Sequence, residues 1–345
     1  MKELSFKESL EVPNSVYIDV RSPVEYGIDH VCGSVNIPLF ENEERKEVGT
    51  IYRMAGREDA IMRGTEIVGV KLKDLVRSFM EYQDKNIVLL CARGGMRSGS
   101  LASLLDAMGL SVYKLRQGYR GYRHYVIEQL TSLELPAPLF VLQGLTGSGK
   151  TEIIRKFPYA VDLEEMAGHR SSVFGGIDML QKTQKRFESL LVDRIRALRG
   201  APYLVIEGES RKIGNLHIPD SLYELMKRSP VLCLSTTLER RIDIIYREYH
   251  ACCNDDNIPA IVKSLRSKLG SKNVELLIGL YREKKIRQFI HVMLETYYDP
   301  LYRHTLDRKE YAAIIQNLDT DDSVKQIRDG IEEQVRKSAS LLSLL

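Results

Sequence analysis

The sequence predicts an α/β protein that contains two parallel sheets. Two observations support this fold class. In the first part of the chain, short apolar segments typical of strands alternate with segments whose apolar residues have helical spacing. The same alternation starts again further along the chain. Between the two patterns lies Leu-Glu-Leu-Pro-Ala-Pro at residues 133–138, and its two prolines predict a linker between two domains.

The first domain is predicted from three apolar strands and one helix. The strands are residues 15–20, 86–90 and 111–115, and residues 99–108 have helical spacing. The order strand, loop, helix, strand is typical of parallel strands joined by a crossover helix. We place this domain at residues 1–133.

The second domain repeats the pattern. Its predicted strands are residues 139–143, 202–207 and 231–234, and a helix starts at Lys150 after a glycine-rich loop. From about residue 258 apolar residues recur at three- and four-residue spacing, which indicates helices. We place the α/β part at residues 138–257 and a helical C-terminal extension, packed on that part, at residues 258–345.

The composition excludes several classes of protein. Of the 345 residues, 43% are hydrophobic and 28% are charged, as in soluble globular proteins, and no window is apolar enough to span a bilayer. The N-terminus lacks the apolar core of a secretory signal, so we expect a cytoplasmic protein without membrane contact. Five irregularly spaced cysteines predict thiols rather than disulfides. The net charge of +3 permits a polyanionic partner without requiring one.

A cysteine lies where a strand turns into a helix. Backbone N–H groups of such a loop and the positive end of the following helix favour a thiolate, and two arginines add positive charge. Cys91 is therefore a candidate catalytic nucleophile, and a buried structural cysteine is the alternative interpretation. The predicted anion-binding loop consists of Arg93, Gly94, Gly95, Met96, Arg97 and Ser98.

The glycine-rich loop of the second domain fits the Walker A pattern and has the expected strand before it and helix after it. Its backbone N–H groups would face phosphate oxygens, Lys150 would reach the outer phosphate, and the Thr151 hydroxyl could hold a metal ion. This motif makes the second domain P-loop NTPase-like, but it does not prove hydrolysis. The predicted phosphate-binding residues are Gly144, Leu145, Thr146, Gly147, Ser148, Gly149, Lys150 and Thr151.

Acidic and polar residues after the next strand could complete this site. A Walker B strand usually ends in aspartate, whereas here Glu207 or Glu209 would have to place Mg²⁺, so Mg²⁺ stays open as a cofactor. Ser210 and Arg211 follow directly, and a solvated turn is the alternative interpretation.

Other groups carry weaker signals. His169 and Arg170 lie in a polar loop and could bind a phosphate or a base, although His169 could equally be a surface histidine. His250 and the adjacent cysteines 252 and 253 lack the paired spacing of zinc ligands, so we predict no metal there. The basic run 282–287 and the tyrosines of residues 297–302 could contact RNA or belong to helix surface and packing.

Three motifs of the first domain resemble the rhodanese family. They are Asp-Val-Arg-Ser-Pro-Val-Glu at residues 19–25 with His-Val-Cys-Gly-Ser at 30–34, the loop at Cys91, and Leu-Arg-Gln-Gly-Tyr at 115–119. The resemblance implies that Cys91 accepts sulfur as a persulfide and that Asp19 and Arg21 support the loop; a structural salt bridge is the alternative for these two. Common rhodaneses have the loop arginine five residues after the cysteine, whereas Arg97 is six after it, which suggests a larger substrate than thiosulfate.

Both loops are paired in one chain with three further motifs: Asp-Leu-Glu at residues 162–164, Glu-Ser-Arg-Lys-Ile-Gly at 209–214 and Tyr-Asp-Pro-Leu-Tyr at 298–302. On the basis of this combination, the chain closely resembles bacterial tRNA 2-selenouridine synthases. The resemblance implies a reaction on 2-thiouridine at the wobble position of tRNA. Geranyl diphosphate would alkylate the sulfur, and selenium from selenophosphate would replace the S-geranyl group. Neither co-substrate would be tightly bound, the phosphate loop would take the diphosphate, and Cys91 would handle selenium as a selenosulfide. An enzyme that produces selenophosphate would be a partner.

Two other functions stay open from the sequence. A sulfurtransferase with a regulatory nucleotide-binding domain would turn over thiosulfate and hydrolyse a nucleotide without tRNA. A non-catalytic RNA-binding or scaffolding protein would have an unreactive Cys91. The sequence alone identifies neither a tRNA-binding groove nor the lining of a geranyl pocket.

Overall fold

The computed structural model describes residues 2–177, 179–249, 257–306 and 310–342. The chain divides into two compact units. Unit 1 contains residues 1–132 and 183–193, and unit 2 contains residues 133–182 and 194–345. The α/β class with parallel sheets and a largely helical C-terminal part is confirmed.

Unit 1 is built on a five-stranded parallel sheet with the strand order β1-β5-β4-β2-β3. The strands are β1 (Lys2–Leu4), β2 (Ser15–Asp19), β3 (Val35–Asn36), β4 (Asn86–Leu90) and β5 (Val112–Leu115). The central strand β4 is a continuous apolar run whose residues 87–90 are fully buried, as expected for a parallel strand covered on both faces. Cys91 is the next residue after the C-terminal end of this buried strand.

The helices of unit 1 cover this sheet and frame the cysteine loop. Helix α2 begins at Pro23 behind a capping box between Ser22 and Glu25, which satisfies N–H groups at the helix start. Helices α3 and α4 fill the stretch between β3 and β4, where no element was predicted. The bounds are α1 (Phe6–Ser9), α2 (Pro23–Ile28), α3 (Asn42–Met54), α4 (Arg57–Met80), α5 (Met96–Ala107) and α6 (Gly118–Thr131).

Unit 2 has a second five-stranded parallel sheet, with β6 at its centre and the order β12-β11-β6-β8-β7. The strands are β6 (Leu139–Gly144), β7 (Ala160–Val161), β8 (Leu204–Glu207), β11 (Val231–Ser235) and β12 (Ala313–Gln316). A short antiparallel pair, β9 (Lys212–Ile213) and β10 (Leu216–His217), lies outside this sheet. Strand β6 leads into the glycine-rich loop.

Helices make up most of the rest of the chain after residue 149. None of the helices in the described ranges is long and apolar enough to cross a membrane. They are α7 (Lys150–Ile154), α8 (Leu163–Ala167), α9 (Gln184–Ala197), α10 (Asp220–Arg228), α11 (Leu238–Tyr249), α12 (Ile258–Ser264), α13 (Arg266–Arg282), α14 (Ile286–Met293), a π-helical segment (Leu294–Tyr298), α15 (Asp299–Leu306) and α16 (Thr320–Leu342).

Two features differ from the predicted organisation. Residues 183–193, expected in the second domain, belong to unit 1, because the buried carboxylate of Asp29 takes a hydrogen bond from Ser189 at 2.9 Å and lies 3.8 Å from Arg186. A carboxylate without water needs such partners. The extension predicted as helical contains the edge strand β12, which pairs with β11 and is only four residues long.

Candidate active site

Cys91 follows β4 directly and its side chain is almost fully buried. Its Sγ lies 3.1 Å from the Oγ of Ser98, a buried residue in the first turn of α5. A hydroxyl at this distance can donate to a thiolate or accept from a thiol. The end of the strand and the start of the helix therefore hold the sulfur against one polar group.

The motif at residues 115–119 closes the loop from the other side. The backbone N–H of Tyr119 donates to the carbonyl oxygen of Cys91 at 2.8 Å. Gly118 has φ +54°, and a Cβ atom there would lie 2.0 Å from the same oxygen. Gly94 has φ +63°, and its Cβ would lie 2.9 Å from backbone atoms of residues 115 and 117. Both positions require glycine because of conformation and of space.

Asp19 and Arg21 support the loop indirectly. The two buried side chains form a two-point ion pair, with Arg21 Nη2 at 2.6 Å and Nε at 2.9 Å from Asp19 Oδ2. The Arg21 guanidinium stacks 3.8 Å from the ring centroid of Tyr119, whose hydroxyl donates to Asp29. Burial and the charge of Asp29 raise the pKa of Tyr119, so this hydroxyl keeps its proton. The pair thus orients the residue that binds the Cys91 carbonyl.

The two arginines of the loop differ in their surroundings. Arg97 binds Glu25, with Nη1 at 2.8 Å from Oε2 and Nη2 at 3.3 Å from Oε1. Burial acts to raise the pKa of Glu25, but its hydrogen bond and charge interaction with Arg97 outweigh burial and lower that pKa. The expectation that Arg97 adds a full charge beside the sulfur is therefore corrected, since Glu25 neutralises it. Arg93 is exposed and faces no carboxylate among the described residues.

In unit 2 the phosphate loop is held by tight packing. Gly147 has φ +77°, and a Cβ there would lie 2.7 Å from Ile245 Cδ1. Gly149 has φ +90°, and a Cβ there would lie 2.6 Å from Asn317 Nδ2. The Lys150 ammonium donates to the Gly144 carbonyl at 3.0 Å and so folds back over the loop. The side-chain oxygen of Ser148 is buried without a partner among the described residues, as expected of a group that waits for a ligand.

Three residues outside the predicted site hold this loop in place. Arg241 Nε donates to the Thr146 carbonyl at 2.8 Å, and the same guanidinium forms a buried ion pair with Asp299. Asn317 Nδ2 donates to the Ser148 carbonyl at 2.8 Å. Asp299 lies inside the motif at residues 298–302, so a signal existed for it. No sequence pattern marked Arg241 or Asn317.

Carboxylates gather beside Thr151. Its hydroxyl lies 3.3 Å from Glu164 Oε2, and Glu207 accepts a hydrogen bond from the Glu164 N–H at 3.2 Å. Burial, with the charge of Glu209 second, raises the pKa of Glu164 to about 7. Burial and neighbouring carboxylates, Asp162 first, raise the pKa of Glu207 well above its usual value. One Glu207 oxygen has no partner in the described part of the chain. Each of these negative charges makes ionisation of the neighbouring carboxyl groups less favourable.

The remaining predicted residues separate into two groups. Arg170, Glu209 and Ser210 line the cavity at the phosphate loop. His169 packs against Gly214, where a Cβ would lie 2.8 Å from the imidazole Cδ2, and burial lowers its pKa. Arg211 is exposed and ion-paired with Asp220. These two side chains are not brought to the cavity. The residues 250–253 lie outside the described part of the chain.

The cavity itself measures about 400 Å³ and has two chemically different ends. One end is formed by the phosphate loop with Lys150 and Arg170. The other end is apolar, and α11, α14 and the loop after α8 supply it. Its main side chains are Phe174, Ile177, Ile245, Phe289, Ile290 and Met293. This volume is in the range of small-molecule sites. Tyr298, Leu301 and Tyr302 of the motif at residues 298–302 also line the cavity, whereas no sequence pattern marked the six apolar side chains named above.

Comparison with known proteins follows the same division. The family model for the tRNA 2-selenouridine synthase AAA domain matches residues 137–264, and the model for rhodanese-like domains matches residues 4–125. The described residues contain no group of three or more His, Cys, Asp or Glu side chains that could hold a metal ion.

Curated relatives are similar over most of their length. A tRNA 2-selenouridine synthase of Hahella chejuensis is 32% identical and aligns over 85% of this chain and 86% of its own. One from Sulfurovum sp. is 29% identical over 87% of this chain and 91% of its own. A solved N-terminal domain from Clostridium difficile 630, described as belonging to an ATP/GTP binding protein, is 43% identical over 36% of this chain and 99% of its own, with a TM-score of 0.36.

Proposed function

Because the chain belongs to the tRNA 2-selenouridine synthase family, we propose that it converts 2-thiouridine at the tRNA wobble position to 2-selenouridine through S-geranyl-2-thiouridine. Geranyl diphosphate and selenophosphate are the co-substrates. The observation that carries the first step is the cavity in which a phosphate loop continues into an apolar wall.

The two ends of the cavity match the two ends of a prenyl diphosphate. The diphosphate would lie on the backbone N–H groups of the loop and on Lys150. The ten-carbon chain would lie against Phe289, Ile290 and Met293, where each buried methylene contributes about 0.8 kcal/mol. A nucleotide would place a polar base and ribose against this apolar wall, which disfavours a nucleotide-regulated sulfurtransferase.

The alkylation then requires stabilisation of the leaving group. The sulfur of 2-thiouridine forms a bond to C1 of the geranyl group, and the C1–O bond breaks with its electron pair on pyrophosphate. Lys150 and Arg170 line the same end of the cavity and would stabilise that negative charge.

The acidic cluster fits a Mg²⁺ ion that shares the diphosphate. Mg²⁺ is usually held by one or two carboxylates and substrate phosphates, so Thr151 and Glu164 would hold it without a complete protein cage. One oxygen of buried Glu207 has no hydrogen-bond partner within the described ranges, which supports this assignment. The ion would add positive charge at the leaving pyrophosphate.

The second step is assigned to the loop of Cys91. Selenium in selenophosphate already has the oxidation level of the product, so a selenosulfide at Cys91 would need an added oxidant. We therefore revise that expectation: Cys91 Sγ attacks C2 of the alkylated base and geranyl thiol leaves. Water cleaves the P–Se bond to phosphate and selenide, and selenide displaces the cysteine from C2. The loop N–H groups and Arg93 would hold the selenophosphate anion.

The test is mass spectrometry of nucleosides after incubation of 2-thiouridine tRNA with the protein. Geranyl diphosphate alone should give S-geranyl-2-thiouridine, and both co-substrates should give 2-selenouridine. Absence of both products, or thiosulfate turnover coupled to nucleotide hydrolysis without tRNA, would contradict the proposal. Action on tRNA would place the protein in the cytoplasm, beside an enzyme that produces selenophosphate.

A further inference from the structure

Arginines of unit 1 fall into two sets. Most of them lie within 4.0 Å of a carboxylate oxygen. Four exposed arginines have no carboxylate partner among the described residues: Arg53, Arg57, Arg93 and Arg120. Exposed guanidinium groups of this kind can bind an anion without first breaking an ion pair.

Three of these four arginines are attached to the cysteine loop. Arg93 belongs to it. The backbone N–H of Arg120 donates to the Ala92 carbonyl at 3.1 Å. A guanidinium nitrogen of Arg57 lies 3.7 Å from the Met96 sulfur. Arg53 lies four residues before Arg57, at the end of α3. Three of the four arginines of unit 1 that have no carboxylate partner among the described residues therefore lie in the Cys91 loop or contact it.

Apolar side chains are exposed among these arginines. Tyr52 is 58% exposed, Met54 83% and Met96 49%. Exposed apolar side chains that lie together with cationic groups can form part of a binding surface. Arginines interleaved with an aromatic and flexible apolar side chains are typical of sites for single-stranded nucleic acid, where phosphates bind the cations and bases stack on rings.

We propose that this surface, the cysteine-loop rim formed by residues 52–57, Arg93, Met96 and Arg120, binds the single-stranded anticodon loop of the RNA substrate. The inference rests on the proposed function and adds the place where RNA meets the selenation site. Because Cys91 is only 3% exposed, its substrate base must leave the stack to reach the sulfur, and a single-stranded loop permits this.

The experiment uses the full-length protein and a fluorescent anticodon stem-loop that contains 2-thiouridine. Fluorescence anisotropy at several salt concentrations gives the affinity and its salt slope. Each of Arg57→Gln and Arg120→Gln should weaken binding roughly fourfold near physiological salt and reduce the slope by about 0.7, the value for one phosphate contact on a single strand. The matched control is Arg77→Gln, an exposed arginine of the same α4 that is paired with Asp74.

The outcomes separate the two proposals. The rim is not the RNA site if the Arg57→Gln and Arg120→Gln variants bind RNA as tightly as the wild-type protein. The same conclusion follows if Arg77→Gln weakens RNA binding as much as they do. Iodoacetamide labelling of Cys91 should be unchanged in both rim variants, and a change would indicate a distorted loop rather than a lost RNA contact. A protein that binds RNA through Arg57 and Arg120 but makes neither product would support the rim and overturn the proposed function.

Discussion

Arg241 and Asp299 form a buried two-point ion pair whose guanidinium also holds the phosphate loop. Arg241 Nη2 lies 2.6 Å from Asp299 Oδ1 and Nη1 lies 3.0 Å from Oδ2, while Nε donates to Thr146. The two side chains are only 5% and 7% exposed. The shape of the loop therefore depends on α11 and on the first residue of α15, far along the chain.

Asp299→Asn should destabilise the protein and weaken binding of geranyl diphosphate. Removing one partner of a buried pair leaves an uncompensated charge, which costs about 3–5 kcal/mol. Urea unfolding and calorimetric titration with geranyl diphosphate measure the two effects. The control is Asp243→Asn on α11, whose pair with Arg287 is half exposed and should cost less than about 1 kcal/mol. Equal losses in both variants would contradict the role given to Asp299.

Gly118→Ala should impair selenation while leaving geranylation intact. Its Cβ would meet the Cys91 carbonyl at 2.0 Å, so the loop must move. A displacement of reacting groups by about 1 Å can reduce the rate roughly 100-fold. Gly109→Ala controls for strain, because Gly109 also has a positive φ but open space around a Cβ. Both activities are read from nucleoside analysis, and unchanged selenation in Gly118→Ala would refute the prediction.

Phe289→Leu should change the choice of prenyl donor. Phe289 is buried, lines the apolar end of the cavity and packs edge-on against Phe174 at a centroid distance of 6.0 Å. A smaller side chain lengthens the cavity, so the ratio of kcat/KM for the fifteen-carbon donor to that for the geranyl donor should rise. Phe157→Leu removes the same volume from a core away from the cavity and should lower stability without changing this ratio.

Cys91→Ala should abolish selenation and spare geranylation. The geranylated intermediate should then accumulate even when selenophosphate is present, because the substitution removes the nucleophile and leaves unit 2 unchanged. Ser98→Ala, which removes only the hydroxyl 3.1 Å from the sulfur, should slow selenation without stopping it. Conversion of both substrates by Cys91→Ala would show that Cys91 has no part in the reaction.

Glu164→Gln should stabilise the ligand-free protein at alkaline pH. The folded state raises the pKa of Glu164 from its ordinary value of 4.5 to about 7. The stability that the neutral Glu164 carboxyl contributes is therefore fully present below pH 4.5 and is lost as pH rises through 7. Removal of the charge should therefore raise the free energy of unfolding at pH 8 by at most about 3 kcal/mol, and Tm with it. Neither quantity should change much at pH 4.5. Thermal scans at both pH values measure this effect. In the presence of geranyl diphosphate, Glu164→Gln should weaken the Mg²⁺ dependence.

The sheets and both loops were predictable because local signals specify them. Strands such as β4 are continuous apolar runs between polar residues, and each loop follows its strand directly. The supports of the loops were not predictable in this way. Arg241 and Asn317 lie far from Thr146 and Ser148 in sequence, and neither belongs to a short motif.

The α14 side chains that line the apolar end of the cavity escaped prediction for a related reason. Phe289, Ile290 and Met293 have the spacing of an ordinary amphipathic helix, and the same spacing would pack any helix against a core. Periodicity gives the face that is buried but not whether that face meets protein or a ligand. Likewise, the sequence shows that Arg97 is positively charged, but only the fold shows that the Glu25 carboxylate neutralises this charge.

The discontinuity of unit 1 has a practical consequence for fragment studies. A polypeptide cut after Ser132 would keep Asp29 and Arg123 but lose Ser189, Arg186 and Glu188, which bind them. A synthetic peptide of residues 183–197 should therefore associate with that fragment and raise its melting temperature. Such binding in trans would allow a helix from the second half of the sequence to be added separately to stabilise a fragment of the first half.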